Sequence, residues 1–202
     1  MPVSYVLFDL GNVIVDWDPM HLYRRRFGDE AKARWFCDTI CTMDWHKAHD
    51  AGVSMDETIP ALVEQHPEHA DHIRAWRDEW MGMFAGYEPG VPALMARLEE
   101  RRVPLYGLSN VSHEVMDDIA EAFPLVKVLR DLVVSGAEGV IKPDPAIFEI
   151  ALDRMGRPDP GEVLFIDDRR DNAEAAEGLG FQTHHFQGAP GLEASLKRHD
   201  LL

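Results

Sequence analysis

Acidic residues stand at the ends of two apolar runs that lie far apart in the chain. Asp9 follows the run 5–8, and the pair Asp167 and Asp168 follows the run 163–166. A carboxylate at the tip of a buried strand is unfavourable unless it has a partner or a function. Because parallel sheets bind ligands at the carboxyl ends of their strands, we expect both tips to meet in one crevice. Carboxylates gathered there can hold a hard cation such as Mg²⁺, and one of them can act as a nucleophile.

Two further polar signals precede predicted helices. Ser109 and Asn110 follow the apolar run 105–108, and Lys142 lies just before a predicted helix that begins at Pro145. With the acidic tips, these residues supply a nucleophile, a hydroxyl group, a cation and a metal-binding acid. Such groups are needed to attack an anionic phosphorus centre and to stabilise its spread charge.

Each of these signals also has an ordinary structural interpretation. Asp9 could be a turn residue, and Ser109 with its neighbour could form a common strand-to-helix turn. Lys142 could be solvated, and the acidic pair 167–168 could be favoured by the dipole at the start of a helix. The functional interpretation therefore depends on all the signals occurring together in one chain.

The elements that must position these residues alternate between strands and helices. Runs typical of strands occupy residues 5–8, 105–108, 132–134, 163–166 and 181–186. Helical patterns occupy residues 91–101, 112–122, 145–155 and 172–179. Gly156 and Gly180 stand where helix C-termini favour a left-handed residue, and Asp144 is a predicted N-cap. The alternation predicts an α/β fold with a parallel, doubly wound sheet.

The segment 17–87 differs from the rest of the chain. It contains all five tryptophans and shows helical rather than strand patterning. Trp76, Trp80 and Phe84 recur at helical spacing, which predicts the core of a helix bundle rather than an aromatic cage for a ligand. Ser54 begins a capping-box signature within this segment.

These patterns predict two domains. Residues 1–16 and 88–202 form a discontinuous catalytic core, and residues 17–87 form a helical cap inserted after the first strand. The Gly/Pro-rich stretch 86–90 is typical of a hinge between them. The short apolar run 13–15 is predicted to form a flap strand.

Composition limits the class of protein. The 202 residues include 36 acidic and 20 basic side chains, which gives a net charge of −16 at pH 7. This charge argues against a nucleic acid or an anionic membrane as the main partner, and favours a small-molecule substrate.

No apolar stretch approaches a membrane-spanning length, and no leader pattern precedes the first strand. We therefore expect a cytoplasmic protein, in which Cys37 and Cys41 are buried reduced thiols. Nothing in the composition indicates an oligomeric state.

Four motifs occur in the order typical of one superfamily: FDLGNV at 8–13, LSN at 108–110, IKPDP at 141–145 and FIDD at 165–168. In this order, and across essentially the whole chain, they resemble the haloacid dehalogenase superfamily, most of whose members are Mg²⁺-dependent phosphatases. The resemblance implies a Rossmann-like core with an inserted cap. The wording of the motifs looks closest to bacterial phosphatases of the glucose-1-phosphatase type, which implies a small phosphorylated metabolite, such as a sugar phosphate, as substrate.

The resemblance also implies roles for single residues. Asp9 would attack phosphorus to form an aspartyl-phosphate, and would bind Mg²⁺ together with the carbonyl of Gly11 and the carboxylate of Asp168. Asp167 would be a second metal-site acid, directly or through water.

Three further residues would bind the substrate. Ser109 and the backbone amide of Asn110 would hold phosphate oxygens. Lys142 would pair with Asp9 and with the phosphoryl group. Asp171 and Asn172 would support the site.

Gly11 departs from the family pattern. Most phosphatases of the superfamily carry there a second aspartate that serves as general acid and then as general base, and glycine cannot transfer a proton. The nearby candidates for this role are Asp16, Asp18, His21, His46 and His49. Asp16 is slightly favoured among them, although its position before Pro19 favours a surface turn residue over this role.

Two other functions fit parts of the same pattern. A metal-independent 2-haloacid dehalogenase also uses an aspartate nucleophile and lacks the second aspartate, but the adjacent acids Asp167 and Asp168 would repel each other without a cation. A catalytically weak phosphate-binding module would also fit Gly11. Contacts to the substrate beyond the phosphate are expected from the cap, with four candidates: Trp45, His46, His49 and Asp50.

Overall fold

The computed structural model describes residues 2–202, and a five-stranded parallel sheet lies at its centre. The order of its strands is β5-β4-β1-β6-β7. Their bounds are β1 Tyr5–Phe8, β4 Leu105–Ser109, β5 Leu132–Val134, β6 Val163–Asp167 and β7 Gln182–His185. All five were predicted to within one residue at either end. The strand order reverses beside β1, which is where doubly wound sheets form their ligand crevice.

The register of the sheet brings the polar strand ends together. Phe8 lies opposite Gly107 of β4 and opposite Ile166 of β6. Because all three strands run in the same direction, Asp9, Ser109 and Asp167 emerge at one edge of the sheet.

Helices cover both faces of the sheet. On one face, Phe8 and Ile166 belong to the larger hydrophobic core, and on the other face Leu7 and Phe165 pack in a second core. The alternation along β1 and β6 has the period of two residues that a strand requires. The helices that follow β3 are α6 Val91–Glu100, α7 Met116–Ala122, α8 Ser135–Glu138, α9 Pro145–Arg154, α10 Arg170–Gly178 and α11 Ala189–Arg198. The predicted α/β class and doubly wound sheet are confirmed.

A block of five helices lies between two short strands, β2 Val15–Trp17 and β3 Phe84–Tyr87. The helices are α1 Pro19–Phe27, α2 Glu30–Thr39, α3 Met43–Asp50, α4 Met55–Gln65 and α5 Ala70–Asp78. The two strands pair antiparallel in a separate sheet. We call the segment 18–83 the helical block.

The structure corrects several predicted boundaries at this junction. The predicted flap strand at 13–15 is shifted, because only Val15 of that run belongs to β2. Gly86 and Tyr87, predicted to begin a hinge, lie in β3, and Phe84 lies in the same strand rather than in a helix. Pairing between segments far apart in sequence stabilises these extended residues, and local composition does not reveal it.

Helix ends follow the predicted capping. The side chains of Asp144, Ser112 and Ser54 each accept a hydrogen bond from the backbone amide two residues further on. Gly156 and Gly180 have positive φ angles at the predicted helix ends. The segment 112–122 is less regular than predicted, since a 3₁₀ turn at His113–Val115 precedes α7. Helix α11 was not predicted. Among residues 2–202, none of the helices combines the length and the apolar character that crossing a lipid bilayer requires.

Candidate active site

Three carboxylates meet where β1 and β6 end. Oxygen atoms of Asp9, Asp167 and Asp168 all lie within 4.8 Å of one another. Asp9 is only 7% exposed and Asp167 is fully buried, whereas Asp168 is half-buried. The structure thus brings together the two acidic tips that the sequence places far apart. A separation this small allows one cation to contact more than one carboxylate.

Lys142 lies among these carboxylates and is not solvated. Its Nζ atom is 2.9 Å from Oδ1 of Asp9 and 2.7 Å from Oδ2 of Asp167, and it donates to the backbone carbonyl of Leu108 at 2.9 Å. The side chain is 1% exposed. A buried ammonium group requires such compensation, and here two carboxylates and a carbonyl provide it.

The charges at the site do not balance. Burial is the main cause of a rise in the pKa of Asp9 to about 8; Lys142 opposes this rise, and the negative charges of Asp167 and Asp168 contribute to it. Burial also raises the pKa of Asp168. Asp9 and Asp167 hold the Lys142 pKa above its ordinary value against the opposing effect of burial, so the lysine stays charged. Three carboxylates around one ammonium group carry two excess negative charges when ionised, which a divalent cation would offset.

Asp167 differs from the other two acids because its oxygens are already engaged. Oδ2 accepts from Lys142, and Oδ1 accepts from the backbone amide of Arg169 at 2.8 Å. The side-chain amide of Asn172 lies 3.1 Å from both oxygens. Asp9 and Asp168 line the adjoining cavity, and Asp167 lies behind them. Asp167 therefore holds Lys142 and the loop after β6 in position.

Ser109 and Asn110 lie at the end of β4, next to the segment that carries Lys142. Ser109 is the last residue of β4, is 3% exposed and lines the cavity. The side chain of Asn110 exchanges two hydrogen bonds with the backbone of Lys142, at 2.8 and 3.0 Å. Asn110 therefore fixes the lysine loop against β4. The sequence predicted a role for the backbone amide of Asn110, but not this contact between its side chain and the backbone of Lys142.

Gly11 lines the cavity and leaves space around it. A Cβ atom built on Gly11 meets no other atom within 4 Å, and Gly11 lacks the positive φ angle that would require glycine. Asp16, the favoured substitute for the absent acid, does not line the cavity. Its Oδ1 atom lies 2.9 Å from Nε2 of His21. Asp18 instead accepts from Met20 N as the N-cap of α1.

The helical block contributes a histidine and an acid to the cavity. His46 and Asp50 both line it, one turn apart on α3, with His46 Nε2 3.4 Å from Asp50 Oδ1. Trp45 and His49, two other candidate contacts, lie outside the lining. Burial lowers the pKa of His46 to about 3 and raises that of Asp50 to about 7, so both are neutral through much of the acidic range.

Several lining residues were missed from the sequence, and two of them, Arg169 and Asn12, make specific polar contacts. Arg169 forms a bidentate ion pair with Asp171, at 2.6 and 3.1 Å, on the exposed rim of the cavity. Asn12 has a positive φ of 58° and accepts a hydrogen bond from the amide of Trp17 at 3.0 Å. Arg169 could have been identified from the sequence, because it directly follows the acidic pair 167–168. Asn12 could not, because its hydrogen bond to Trp17 forms only in the folded loop.

The cavity has a volume of about 440 Å³ and opens between the sheet edge and the helical block. Its floor is polar, with the carboxylates, Lys142, Ser109 and Asn110. Its opposite wall comes largely from the helical block and β3. Volumes of this order are typical of sites for small molecules.

Comparison with known proteins places the chain in a family. The model of the haloacid dehalogenase-like hydrolases matches residues 3–180. A sesquiterpene phosphatase of Aspergillus oryzae is 21% identical over 180 residues, which cover 89% of this chain and 88% of that protein. Acyl-CoA dehydrogenase family member 10 of the mouse is 41% identical over 61 residues, 30% of this chain but only 6% of its own length.

Solved structures share the fold. A HAD-family enzyme of Bacteroides thetaiotaomicron, determined with magnesium and inorganic phosphate, has a TM-score of 0.68 at 21% identity, covering 93% of this chain and 96% of that one. The L-2-haloacid dehalogenase of Xanthobacter autotrophicus, with chloropropionic acid covalently bound, has a TM-score of 0.65 at 17% identity, covering 99% and 84%. With the family match over most of its length, this chain belongs to the haloacid dehalogenase-like hydrolases.

Proposed function

We propose that the protein is a Mg²⁺-dependent phosphatase that hydrolyses a small phosphorylated metabolite through an aspartyl-phosphate on Asp9. The observation that carries the proposal is the excess of negative charge around Lys142. A cluster of three carboxylates with one ammonium group suits a divalent cation and a phosphoryl group, which together restore the balance. The sesquiterpene phosphatase and the magnesium–phosphate complex among the similar proteins support the same class.

The residues of the floor divide the chemistry among them. The carboxylate of Asp9 forms a bond to phosphorus while the bond from phosphorus to the ester oxygen breaks, and the alcohol leaves with a proton from solvent. A water molecule then attacks the phosphorus as the bond between phosphorus and Asp9 breaks, which releases inorganic phosphate, restores the carboxylate and returns a proton to solvent. Lys142 and Ser109 face the phosphoryl oxygens and stabilise their charge in both transition states.

Asp9, Asp168 and the carbonyl of Gly11 would hold the Mg²⁺ ion. When bound, the ion would offset the charge of the carboxylates and of the phosphoryl oxygens. Asp167 acts through Lys142, because its own oxygens already accept hydrogen bonds from protein groups.

The test is phosphate release from p-nitrophenyl phosphate with Mg²⁺. Asp9→Asn removes the nucleophile but keeps the side-chain shape, so activity should fall at least a thousandfold. Asp118→Asn, an exposed acid on α7, is the control for loss of one carboxylate. Unchanged turnover in Asp9→Asn would contradict the assignment.

The same assay distinguishes the dehalogenase alternative, which Gly11 and the structural likeness to the Xanthobacter enzyme both permit. Phosphate release should stop with EDTA and return with Mg²⁺. Halide release from 2-chloropropionate that persists in EDTA, without phosphate release from any ester, would instead favour the dehalogenase. The absence of both reactions, with phosphate still bound, would favour a binding module.

A further inference from the structure

The wall of the cavity opposite the carboxylates is apolar and aromatic. It contains residues from β2, the helical block, β3, the loop after β4 and α7: Trp17, Met43, Trp80, Phe84, Val111 and Ile119. The ring of Trp17 stacks on that of His46 at 5.2 Å and lies 5.8 Å from that of Trp80. Packing of this kind fixes the rings and gives the wall a defined shape. We call this surface the apolar wall.

Several polar atoms in the apolar wall and beside it are covered by protein atoms. The indole nitrogens of Trp17 and Trp80, Nδ1 of His46 and Oδ1 of Asp50 are all buried, without hydrogen-bond partners among residues 2–202. Because protein atoms cover them, the rings present carbon to the cavity. Lys47, the remaining charged residue on this side, pairs with Asp44 at 2.7 Å.

Met43 extends the apolar wall toward solvent. It is 46% exposed, one of three large apolar side chains that are exposed within the described chain, and it is the one of the three that lines the cavity. An exposed apolar side chain continuous with a buried apolar surface is typical of a ligand site.

A sugar would fit this wall poorly. Each hydroxyl group gives up hydrogen bonds to water on binding, and the wall offers few accessible donors and acceptors to replace them. An alkyl or aryl group loses no hydrogen bonds there, and it gains from every apolar surface that it buries.

We propose that the apolar wall binds the alcohol part of the substrate, and that the substrate is the phosphate monoester of an apolar alcohol rather than a sugar phosphate. This inference rests on the proposed phosphatase function for the position of the phosphate. The phosphate lies over Asp9 and Lys142, and the hydrocarbon extends along Trp17 and Phe84 to Met43 at the mouth.

The first test compares two esters of primary alcohols, n-hexyl phosphate and glucose 6-phosphate, with ethyl, butyl and octyl phosphate as a length series. We expect kcat/KM for hexyl phosphate to exceed that for glucose 6-phosphate at least tenfold. In the series, kcat/KM should rise by up to about fourfold per buried methylene until the cavity is filled. A preference for glucose 6-phosphate, or no dependence on chain length, would overturn the proposal.

Two variants locate the effect on the wall. Met43→Ser should lower the ratio of kcat/KM between hexyl and ethyl phosphate, because it removes apolar contact at the mouth. Val53→Ser, at a residue that is 40% exposed and outside the cavity, should leave the ratio at its original value. Equal ratios in the parent protein and Met43→Ser would contradict the assigned path.

Binding separates this proposal from the phosphatase itself. Calorimetric titration with hexylphosphonate and methylphosphonate, in the presence of Mg²⁺, reports on the wall without turnover. Tighter binding of hexylphosphonate with no phosphate release from any ester would keep the apolar site and overturn the phosphatase. Phosphate release from p-nitrophenyl phosphate, together with equal affinities for both phosphonates, would support the phosphatase and overturn the apolar site.

Discussion

At the scale of single residues, the most informative departure from the family pattern is glycine at position 11, where most phosphatases of the family have an aspartate. The side chain of an aspartate would meet no atom within 4 Å of its Cβ, and its backbone would be unstrained. The backbone and the space at Cβ therefore permit a side chain at this position. In the proposed phosphatase mechanism, the floor of the cavity supplies no residue assigned to protonate the leaving group.

Gly11→Asp should accordingly raise turnover. General acid–base catalysis contributes about 10²–10⁴-fold, and we expect at least a tenfold increase in kcat for alkyl phosphates, whose leaving groups need a proton. Gly11→Asn is the matched control, since it has the same size but no transferable proton. An equal response of both variants would mean that bulk or metal contact, rather than proton transfer, caused the change.

Lys142 illustrates how stability and function share one residue. Removing it leaves Asp9 and Asp167 buried and unpaired, which destabilises a fold by about 3–5 kcal/mol. Lys142→Ala should also lower kcat/KM more than a hundredfold, since a fixed charge at a transition state contributes several kcal/mol.

A double variant separates these two effects. Lys142→Ala with Asp167→Asn removes one of the two unpaired carboxylates, so urea unfolding should show stability partly recovered relative to the single variant while activity stays lost. Recovery of activity together with stability would show that Lys142 acts through folding alone.

At the scale of elements, buried and half-buried hydrogen bonds join the helical block to the core. The Ser135 hydroxyl donates to the carbonyl of Asp50 at 2.6 Å. The carboxylate of Glu114 accepts from the Ser54 hydroxyl at 2.6 Å and from the amide of Met55 at 3.1 Å. Glu114 thus caps α4 from another part of the chain, where the positive end of the helix dipole favours it. We propose that the helical block, if it moves away from the core, rotates about this attachment and keeps these hydrogen bonds.

Gly52 is the tightest point of that attachment. A Cβ there would lie 2.7 Å from the carbonyl oxygen of Gly136, and φ of Gly52 is +94°. Gly52→Ala should therefore destabilise the protein by about 2–4 kcal/mol, from backbone strain plus a steric clash. Gly139→Ala is the matched control, because φ is also positive there but the Cβ meets nothing within 4 Å. Chemical denaturation measures both, and an equal loss would show that strain alone is responsible.

At the scale of the whole molecule, buried histidines make the stability of the fold depend on pH. Burial lowers the pKa of His49 to about 4, from an ordinary value of 6.5. Its Nε2 lies 2.6 Å from the Thr58 hydroxyl, and the residue is fully buried. Between these two pKa values the unfolded chain binds a proton that the native state does not. Stability therefore falls as the pH decreases from about 6.5 toward 4.

His49→Gln removes this titration while retaining a polar group near Thr58. When the pH decreases from 6.5 to 4.5, the free energy of unfolding of both proteins should fall. The fall in the variant should be smaller than that in the parent by about 1–2 kcal/mol. Urea unfolding at a series of pH values measures the difference in slope. Parallel profiles for the two proteins would contradict the assignment to His49.

The sequence by itself determined the α/β class, the five strands of the sheet and the end of the sheet at which the polar residues gather. These features depend on local signals, namely apolar runs, capping residues and the order of four motifs, and they need no knowledge of distant contacts. The helix after Gly188 was missed because Ala189–Arg198 lies beyond the last motif and has a weak start, without a capping side chain.

Only the tertiary structure decided which groups touch. It engaged Asp167 with Lys142 and Asn172, moved Asp16 away from the cavity, and placed Glu114 at the start of α4. It also placed Trp80 and Phe84 of the predicted bundle core in the wall of a cavity, whereas Trp76 is buried in the core as predicted. Each of these outcomes depends on packing between segments far apart in the chain, and a residue's type does not specify which distant neighbour will compensate its charge or cover its apolar surface.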